Sequence, residues 1–136
     1  MEYYLAYGSN LNMKQMARRC PGAQPVGAAI IKDYELVFRR GYLTIEPKEG
    51  GEVPVGIWKI TAEHEKALDR YEGFPKFYIK QDFDIGTAYV MTDGHPLQVP
   101  SDFYFYTVMQ GYSDFGFDKA PLIAAYERVK WTEDAE

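Results

Sequence analysis

The chain has 136 residues, 46% of them hydrophobic, which suits one domain around a single core and argues against a two-domain enzyme. With 15 basic and 20 acidic residues the net charge is −5, and because no basic block is present we do not expect nucleic acid as a partner. One cysteine and two histidines exclude an intramolecular disulfide and leave no cluster for zinc, so we expect no metal and no cofactor. No apolar run approaches the roughly 20 residues of a membrane span. We expect a cytoplasmic protein.

Most of the chain reads as short β-prone segments separated by turn residues. The 12 Tyr, 8 Phe and 2 Trp, 16% of all residues, favour strands and a cavity lined by rings. A polar, turn-rich stretch at 46–52 is predicted as a loop. About six or seven strands are expected. The β-prone segments are 3–7, 26–31, 34–38, 55–60, 77–85, 87–91 and 103–109, with a short additional segment at 43–45.

Three segments have the spacing and the terminal residues of helices. One covers 11–19, a second begins at Thr61 and ends at Glu72-Gly73, and a third carries an apolar face through 122–129. The short connections predict an α+β fold: a curled, mixed but mostly antiparallel sheet that approaches a small barrel, with two or three helices outside it. We expect one domain over residues 1–131 and an acidic, frayed tail at 132–136.

The first candidate site is the junction between the first strand and the first helix. A strand that enters a helix through small residues leaves backbone N–H groups unpaired, and these donors can hold a carboxylate or a developing oxyanion. A glycine there lets a ligand approach the main chain closely. A plain turn with asparagine as helix cap explains the same residues without a ligand. The junction is Tyr7-Gly8-Ser9-Asn10-Leu11.

The second candidate site is Glu72, the last residue of the second predicted helix. A glutamate at this position opposes the helix dipole, which favours a cation there, so its placement hints at a function. The following Gly73-Phe74-Pro75 is apolar enough to raise the pKa of the carboxyl towards that of a useful general base. An exposed glutamate at a helix end is the alternative interpretation.

Four motifs occur in a fixed order along nearly the whole chain. They are Tyr4-Leu5-Ala6-Tyr7-Gly8-Ser9-Asn10-Leu11, Leu68-Asp69-Arg70-Tyr71-Glu72-Gly73, Phe77-Tyr78 and Pro100-Ser101-Asp102-Phe103-Tyr104. In sequence and spacing they resemble the gamma-glutamylcyclotransferase-like family, which includes the AIG2-like proteins. The Gly-Ser-Asn-Leu form of the first motif favours the branch that acts on gamma-glutamyl peptides over the branch that acts on gamma-glutamylamines.

The resemblance implies a reaction in which the α-amine of a gamma-glutamyl group attacks its own γ-carbonyl. This releases an amino acid or amine and leaves 5-oxoproline, with a small gamma-glutamyl molecule as the substrate. Because the substrate supplies the nucleophile, no Ser or Cys nucleophile is needed. Glu72 is the implied catalytic acid/base. The implied substrate-binding residues are Tyr4, Tyr7, Gly8, Ser9, Asn10, Leu11, Tyr78 and Tyr104.

Two alternatives to this activity stay open. One is removal of a gamma-glutamyl tag from a biosynthetic intermediate, and the other is a non-catalytic module that binds small molecules in the same cavity.

Three further stretches have weaker interpretations. Tyr4 and Tyr7 are three residues apart, so we expect them to face opposite sides of the first strand. Arg39-Arg40 could bind an anionic substrate, although a solvated strand end is favoured. Residues 114–118 are predicted as a loop that could gate the cavity.

Overall fold

The computed structural model describes residues 1–134. The strands are β1 Tyr3–Ala6, β2 Gln24–Arg39, β3 Tyr42–Lys59, β4 Tyr78–Phe83 and β5 Gly86–Met91. The helices are α1 Met13–Arg19, α2 Ala62–Glu72, α3 Asp102–Phe115 and α4 Ala120–Asp134. A 3₁₀ turn, Ser9–Leu11, lies between β1 and α1.

All five strands form one mixed sheet in the order β2-β3-β1-β5-β4. The central β1 is antiparallel to β3 and parallel to β5, and the other pairs are antiparallel. The sheet stays open but curls until its edge strands touch: Tyr34 of β2 accepts a hydrogen bond from Gln81 of β4 at 2.8 Å and meets the Phe83 ring edge-on. The predicted α+β fold with a curled, mostly antiparallel sheet is therefore confirmed.

The strands β2 and β3 form one long hairpin in place of several shorter predicted strands. Pairing extends to Arg39 opposite Tyr42 at the tip. The register shifts beside Asp33, whose carboxylate accepts a hydrogen bond from the Gly50 N–H at 3.0 Å. The stretch 46–52, predicted as a loop, is thus an irregular part of β3, because the shift at Asp33 absorbs its extra residues within the hairpin.

The aromatic stretch 103–109 lies in α3, so its prediction as a strand was wrong. The Ser101 side chain caps this helix by accepting a hydrogen bond from the Tyr104 N–H at 3.2 Å. Phe103 and Tyr106, three residues apart, share the exposed face at 76% and 67% exposure, which is helical spacing. The predicted loop at 114–118 begins inside the same helix. Residues 1–134 therefore contain four α-helices, where two or three helices were expected.

The helix α2 begins and ends as predicted. The Thr61 hydroxyl accepts a hydrogen bond from the His64 N–H at 3.2 Å and caps its first turn. Gly73 follows with φ of 65°, a left-handed conformation that glycine adopts at little cost. These two residues fix Glu72 as the last residue of the helix.

The last helix extends beyond the predicted domain limit. It continues through residue 132, where the acidic tail was expected to begin, and reaches Asp134. Residues 135 and 136 of that predicted tail lie outside the described residues. Within residues 1–134, no helix is both long enough and apolar enough to cross a membrane.

The contact between α3 and the 3₁₀ turn depends on a glycine. A Cβ at Gly111 would lie 2.7 Å from the backbone of both Leu11 and Asn12. Gly111→Ala should therefore lower the free energy of unfolding by about 1–3 kcal/mol, because neither backbone can yield cheaply. The matched control is Gly27→Ala on β2, where a Cβ meets nothing within 4 Å. Urea denaturation of the two variants checks this, and equal stabilities would contradict the close contact.

Candidate active site

A cavity of about 300 Å³ lies between β1, the end of α2, β4, β5, α3 and the tip of the β2–β3 hairpin. Its volume is at the lower end of the range of small-molecule sites, roughly 300–1,000 Å³. Every residue predicted for the site lines it except Leu11. The lining residues are Tyr4, Tyr7, Gly8, Ser9, Asn10, Tyr42, Leu43, Tyr71, Glu72, Phe77, Tyr78, Tyr89 and Tyr104.

Glu72 contributes the carboxyl group of this cavity. The residue as a whole is half-buried, but its carboxyl is enclosed by protein, and this burial raises its pKa from 4.5 to about 7. Within residues 1–134 no group forms a hydrogen bond or an ion pair with it. A carboxyl with these properties can take up and release a proton near neutral pH.

Arg19, at the end of α1, opposes the effect of burial on Glu72. Its positive charge favours the carboxylate and lowers the pKa of Glu72. The guanidinium stacks on the Tyr71 ring, with 3.6 Å from Cζ to the ring centroid, and donates hydrogen bonds to the side chains of Asn10 and Gln15. Arg19 therefore holds the 3₁₀ turn and the end of α2 together around the carboxyl.

The 3₁₀ turn uses some of its backbone donors internally. The Leu11 N–H donates to the Gly8 carbonyl and the Asn12 N–H to the Ser9 carbonyl, each at 3.0 Å. The N–H groups of Ser9 and Asn10 precede the first of these bonds, where a helix start has no internal acceptors. These two backbone groups are the candidate anion donors of the cavity.

Asn10 is the most constrained residue of the turn. Its Nδ2 donates to the Tyr4 hydroxyl at 3.0 Å, its Oδ1 accepts from Arg19, and its carbonyl accepts from Trp58 Nε1 at 3.0 Å. Leu11 differs from its neighbours because its side chain is fully buried in the core and does not reach the cavity. Its contribution to the site is limited to closing the turn through its N–H.

The hydroxyls of the four tyrosines predicted for the site divide into two kinds. Tyr7 donates to the Tyr89 carbonyl at 2.5 Å and Tyr78 to the Leu43 carbonyl at 2.8 Å, so their protons are already used. The Tyr104 hydroxyl accepts from the Leu43 N–H at 3.1 Å, as Tyr4 accepts from Asn10, so each keeps its proton for a ligand. Burial raises the pKa of all four hydroxyls, which stay neutral.

Tyr4 and Tyr7 do not face opposite sides as expected, because both line the cavity. The strand β1 ends at Ala6, so Tyr7 lies in the following turn and escapes the alternation of the strand. Sequence reasoning missed several lining residues. Tyr71 and Phe77 belong to two of the four sequence motifs, and their positions next to Glu72 and Tyr78 could have indicated that they line the cavity. The residues without such a signal are Tyr42, Leu43 and Tyr89.

A family model described as gamma-glutamyl cyclotransferase, AIG2-like, matches residues 4–128, nearly the whole chain. The chain belongs to this family. The resemblance inferred from the four motifs is therefore confirmed. Membership in the gamma-glutamyl cyclotransferase, AIG2-like family supports a cyclotransferase-type enzyme that acts on a small molecule.

Solved structures agree with this assignment. A structure described as a gamma-glutamyl cyclotransferase superposes with a TM-score of 0.75 at 25% identity, covering 95% of this chain and 86% of that one. The uncharacterized human protein loc79017 gives a TM-score of 0.73 at 25% identity with the same coverages, 95% and 86%. YkqA from Bacillus subtilis shares the fold at a TM-score of 0.74 and 16% identity, over 95% of this chain and 54% of YkqA. No curated protein matches the chain.

Arg19→Gln should raise the pKa of Glu72 above about 7, because the carboxylate loses a positive charge that favours it. NMR titration of the Glu72 carboxyl carbon measures this without any substrate. Arg18→Gln is the matched control, since it removes the same charge from an exposed position on the same helix. Equal pKa values in the two variants would contradict the coupling between Arg19 and Glu72.

Glu72→Gln should remove a pH dependence of stability. Because the folded-state pKa is raised from 4.5 to about 7, the native state binds the proton more tightly than the unfolded chain, and stability falls as pH rises through this window. The loss is up to about 3 kcal/mol. As pH rises from about 4 to about 8, urea denaturation should show the free energy of unfolding of Glu72→Gln increasing relative to that of the wild type. Glu63→Gln, an exposed change on the same helix, should not show this increase. If stability depended on pH equally in Glu72→Gln and the wild type, the raised pKa would be contradicted.

Proposed function

We propose that this chain is a gamma-glutamyl cyclotransferase that releases 5-oxoproline from a gamma-glutamyl amino acid or amine, with Glu72 as the acid/base. The observation that carries the proposal is the carboxyl of Glu72, which lines the cavity without a partner among the described residues and has a pKa of about 7. A general acid/base is most effective when its pKa lies near the working pH.

The proposed reaction transfers one proton twice. Glu72 takes a proton from the substrate α-amine as its nitrogen forms a bond to the γ-carbonyl carbon, which closes a five-membered ring. The carboxyl then returns the proton to the amide nitrogen as the bond between that nitrogen and the γ-carbon breaks. The leaving amine and 5-oxoproline are the products, and Glu72 is again a carboxylate. One residue suffices because the substrate supplies the nucleophile.

The cavity would accelerate this step by folding the substrate onto itself. Holding the amine within roughly 3–3.5 Å of the carbonyl carbon exploits the high effective molarity of intramolecular reactions. The Ser9 and Asn10 N–H groups would bind the α-carboxylate or the tetrahedral oxyanion. Tyr4 and Tyr104 would donate their free hydroxyl protons, while Tyr7 and Tyr78, whose protons are already used, would shape the wall.

The raised pKa of Glu72 argues for this proposal over a binding module. A pure binder gains nothing from a carboxyl at the negative end of a helix dipole, where both burial and dipole disfavour the anion. Removal of a gamma-glutamyl tag from a larger intermediate uses the same chemistry and differs in the leaving group. The Gly-Ser-Asn-Leu turn favours gamma-glutamyl peptides, and we propose the cytoplasm as the location of the activity.

Incubation of the purified protein with a panel of gamma-glutamyl dipeptides and gamma-glutamylamines should yield 5-oxoproline. In Glu72→Gln, kcat should fall about 10²–10⁴-fold with little change in ligand binding, because an amide cannot transfer the proton. In the wild type, kcat/KM should rise with pH through about 7 as Glu72 becomes the base. Chromatographic detection of 5-oxoproline measures product formation, kcat and kcat/KM, and calorimetric titration measures ligand binding.

The matched control is Glu63→Gln, on the exposed face of the same helix, which should retain full activity. A near-normal kcat in Glu72→Gln would contradict the assignment of Glu72 as the acid/base. Binding of the panel without any 5-oxoproline would instead support the non-catalytic module.

A further inference from the structure

The tip of the β2–β3 hairpin places an arginine at the rim of the cavity. Arg40 has φ of 55°, a left-handed conformation uncommon for residues other than glycine, and its N–H donates to the Pro96 carbonyl at 2.9 Å. The next residue, Gly41, also has a positive φ, 80°. The backbone of Arg40 is therefore fixed by the turn geometry and by a bond to a neighbouring loop.

The side chain of Arg40 lies beside residues that line the cavity. Its guanidinium carbon is 5.8 Å from the centroid of the Phe77 ring, and that ring packs edge-on against Tyr42 at 6.1 Å between centroids. Both rings line the cavity, and Tyr42 is 46% exposed, which marks this side as an opening to solvent. The guanidinium thus stands beside an entrance of the site.

Among the described residues, the guanidinium of Arg40 makes fewer polar contacts than those of Arg39 and Arg19. Arg39 is neutralised by Glu46, with 2.5 Å from Nε to Oε2, and Arg19 donates to Asn10 and Gln15. Among the residues that the structure describes, the Arg40 guanidinium has neither a hydrogen-bond acceptor nor an ion-pair partner. Its donors therefore remain available to a ligand.

The free guanidinium suits a carboxylate in particular. Its planar group of donors matches the two oxygens of a carboxylate, and such charge-assisted pairs are stronger than neutral hydrogen bonds. The chain as a whole carries a net charge of −5, so a local cation at the entrance would offset the repulsion of an anionic substrate. In the proposed reaction the gamma-glutamyl group lies at Glu72 and the 3₁₀ turn, so the leaving group is the part of the substrate that extends towards the rim.

We propose that Arg40 is a specificity-determining residue that forms a subsite for a carboxylate on the leaving group. The subsite selects gamma-glutamyl amino acids over gamma-glutamylamines and over substrates whose leaving group is neutral. This inference rests on the proposed function for its orientation of the substrate, with the gamma-glutamyl group inside and the leaving group at the rim.

A pair of substrates isolates the carboxylate. Gamma-glutamyl-alanine and gamma-glutamyl-alaninamide differ only in that group, so their kcat/KM ratio measures its recognition. Wild type should prefer the acid about tenfold, as expected for a charge-assisted hydrogen bond partly screened by solvent. Arg40→Asn should abolish this preference by lowering kcat/KM for the acid, while kcat/KM for the amide stays within about twofold of the wild-type value. Asparagine is the replacement because it tolerates a left-handed backbone.

Two controls separate the subsite from other effects. Arg18→Gln removes the same charge from an exposed position on α1, which contributes no residue to the cavity lining, and it should keep the preference; this excludes a general electrostatic effect. Arg40→Lys should retain part of it, because an ammonium keeps the charge and loses the planar fork. Equal losses on acid and amide in Arg40→Asn, or no preference in the wild type, would overturn the proposal.

A binding measurement keeps this result apart from the proposed function. Calorimetric titration of the same two molecules into Glu72→Gln, with and without Arg40→Asn, tests the subsite without turnover. If the wild type forms no 5-oxoproline but the acid still binds more tightly through Arg40, the cyclotransferase proposal fails and the subsite stands. If 5-oxoproline forms and the acid shows no advantage in binding or rate, the subsite fails alone.

Discussion

The carboxyl of Glu72, unpaired among the described residues, is the constraint on which the rest of the site depends. Other acids of the same helix are compensated: Glu65 and Asp69 both pair with Lys80, at 2.6 and 3.0 Å. Glu72 instead faces a cavity at the negative end of the helix dipole, and burial disfavours its charge. Among the described residues, the nearby charge of Arg19 favours the anion. The fold thus leaves this carboxyl close to balance between its two protonation states.

The tyrosines around this carboxyl make the balance possible. The hydroxyls of Tyr4, Tyr7, Tyr78 and Tyr104 are buried and stay neutral, so these side chains line the cavity without adding a second ionised group. Backbone groups fix their orientation: Leu43, at the hairpin tip, accepts a hydrogen bond from Tyr78 and donates one to Tyr104. One residue of the hairpin therefore decides which hydroxyl proton is used and which is free. The long hairpin is in this sense part of the site.

Local signals in the sequence predicted the centre of the site, and pairing over long distances determined the rest. The capping threonine and Gly73 placed Glu72 at the end of its helix, and the small residues after β1 indicated the turn. Tyr42 and Tyr89 had no local signal because strand pairing brings them to the cavity. The α3 helix was missed because aromatic content outweighed the cap at Ser101, although that cap was visible in the sequence.

The scarcity of other catalytic groups narrows the chemistry further. The Cys20 thiol is buried, its pKa is raised by burial, and its sulfur lies 3.7 Å from the His64 carbonyl, outside the cavity. His64 contacts the Pro21 carbonyl through Nε2, and the His95 ring nitrogen contacts Thr92 at 2.9 Å. Neither histidine lines the cavity. Cys20 and the two histidines therefore have no part in the proposed reaction, in which Glu72 carries the proton and the ligand supplies the nucleophile.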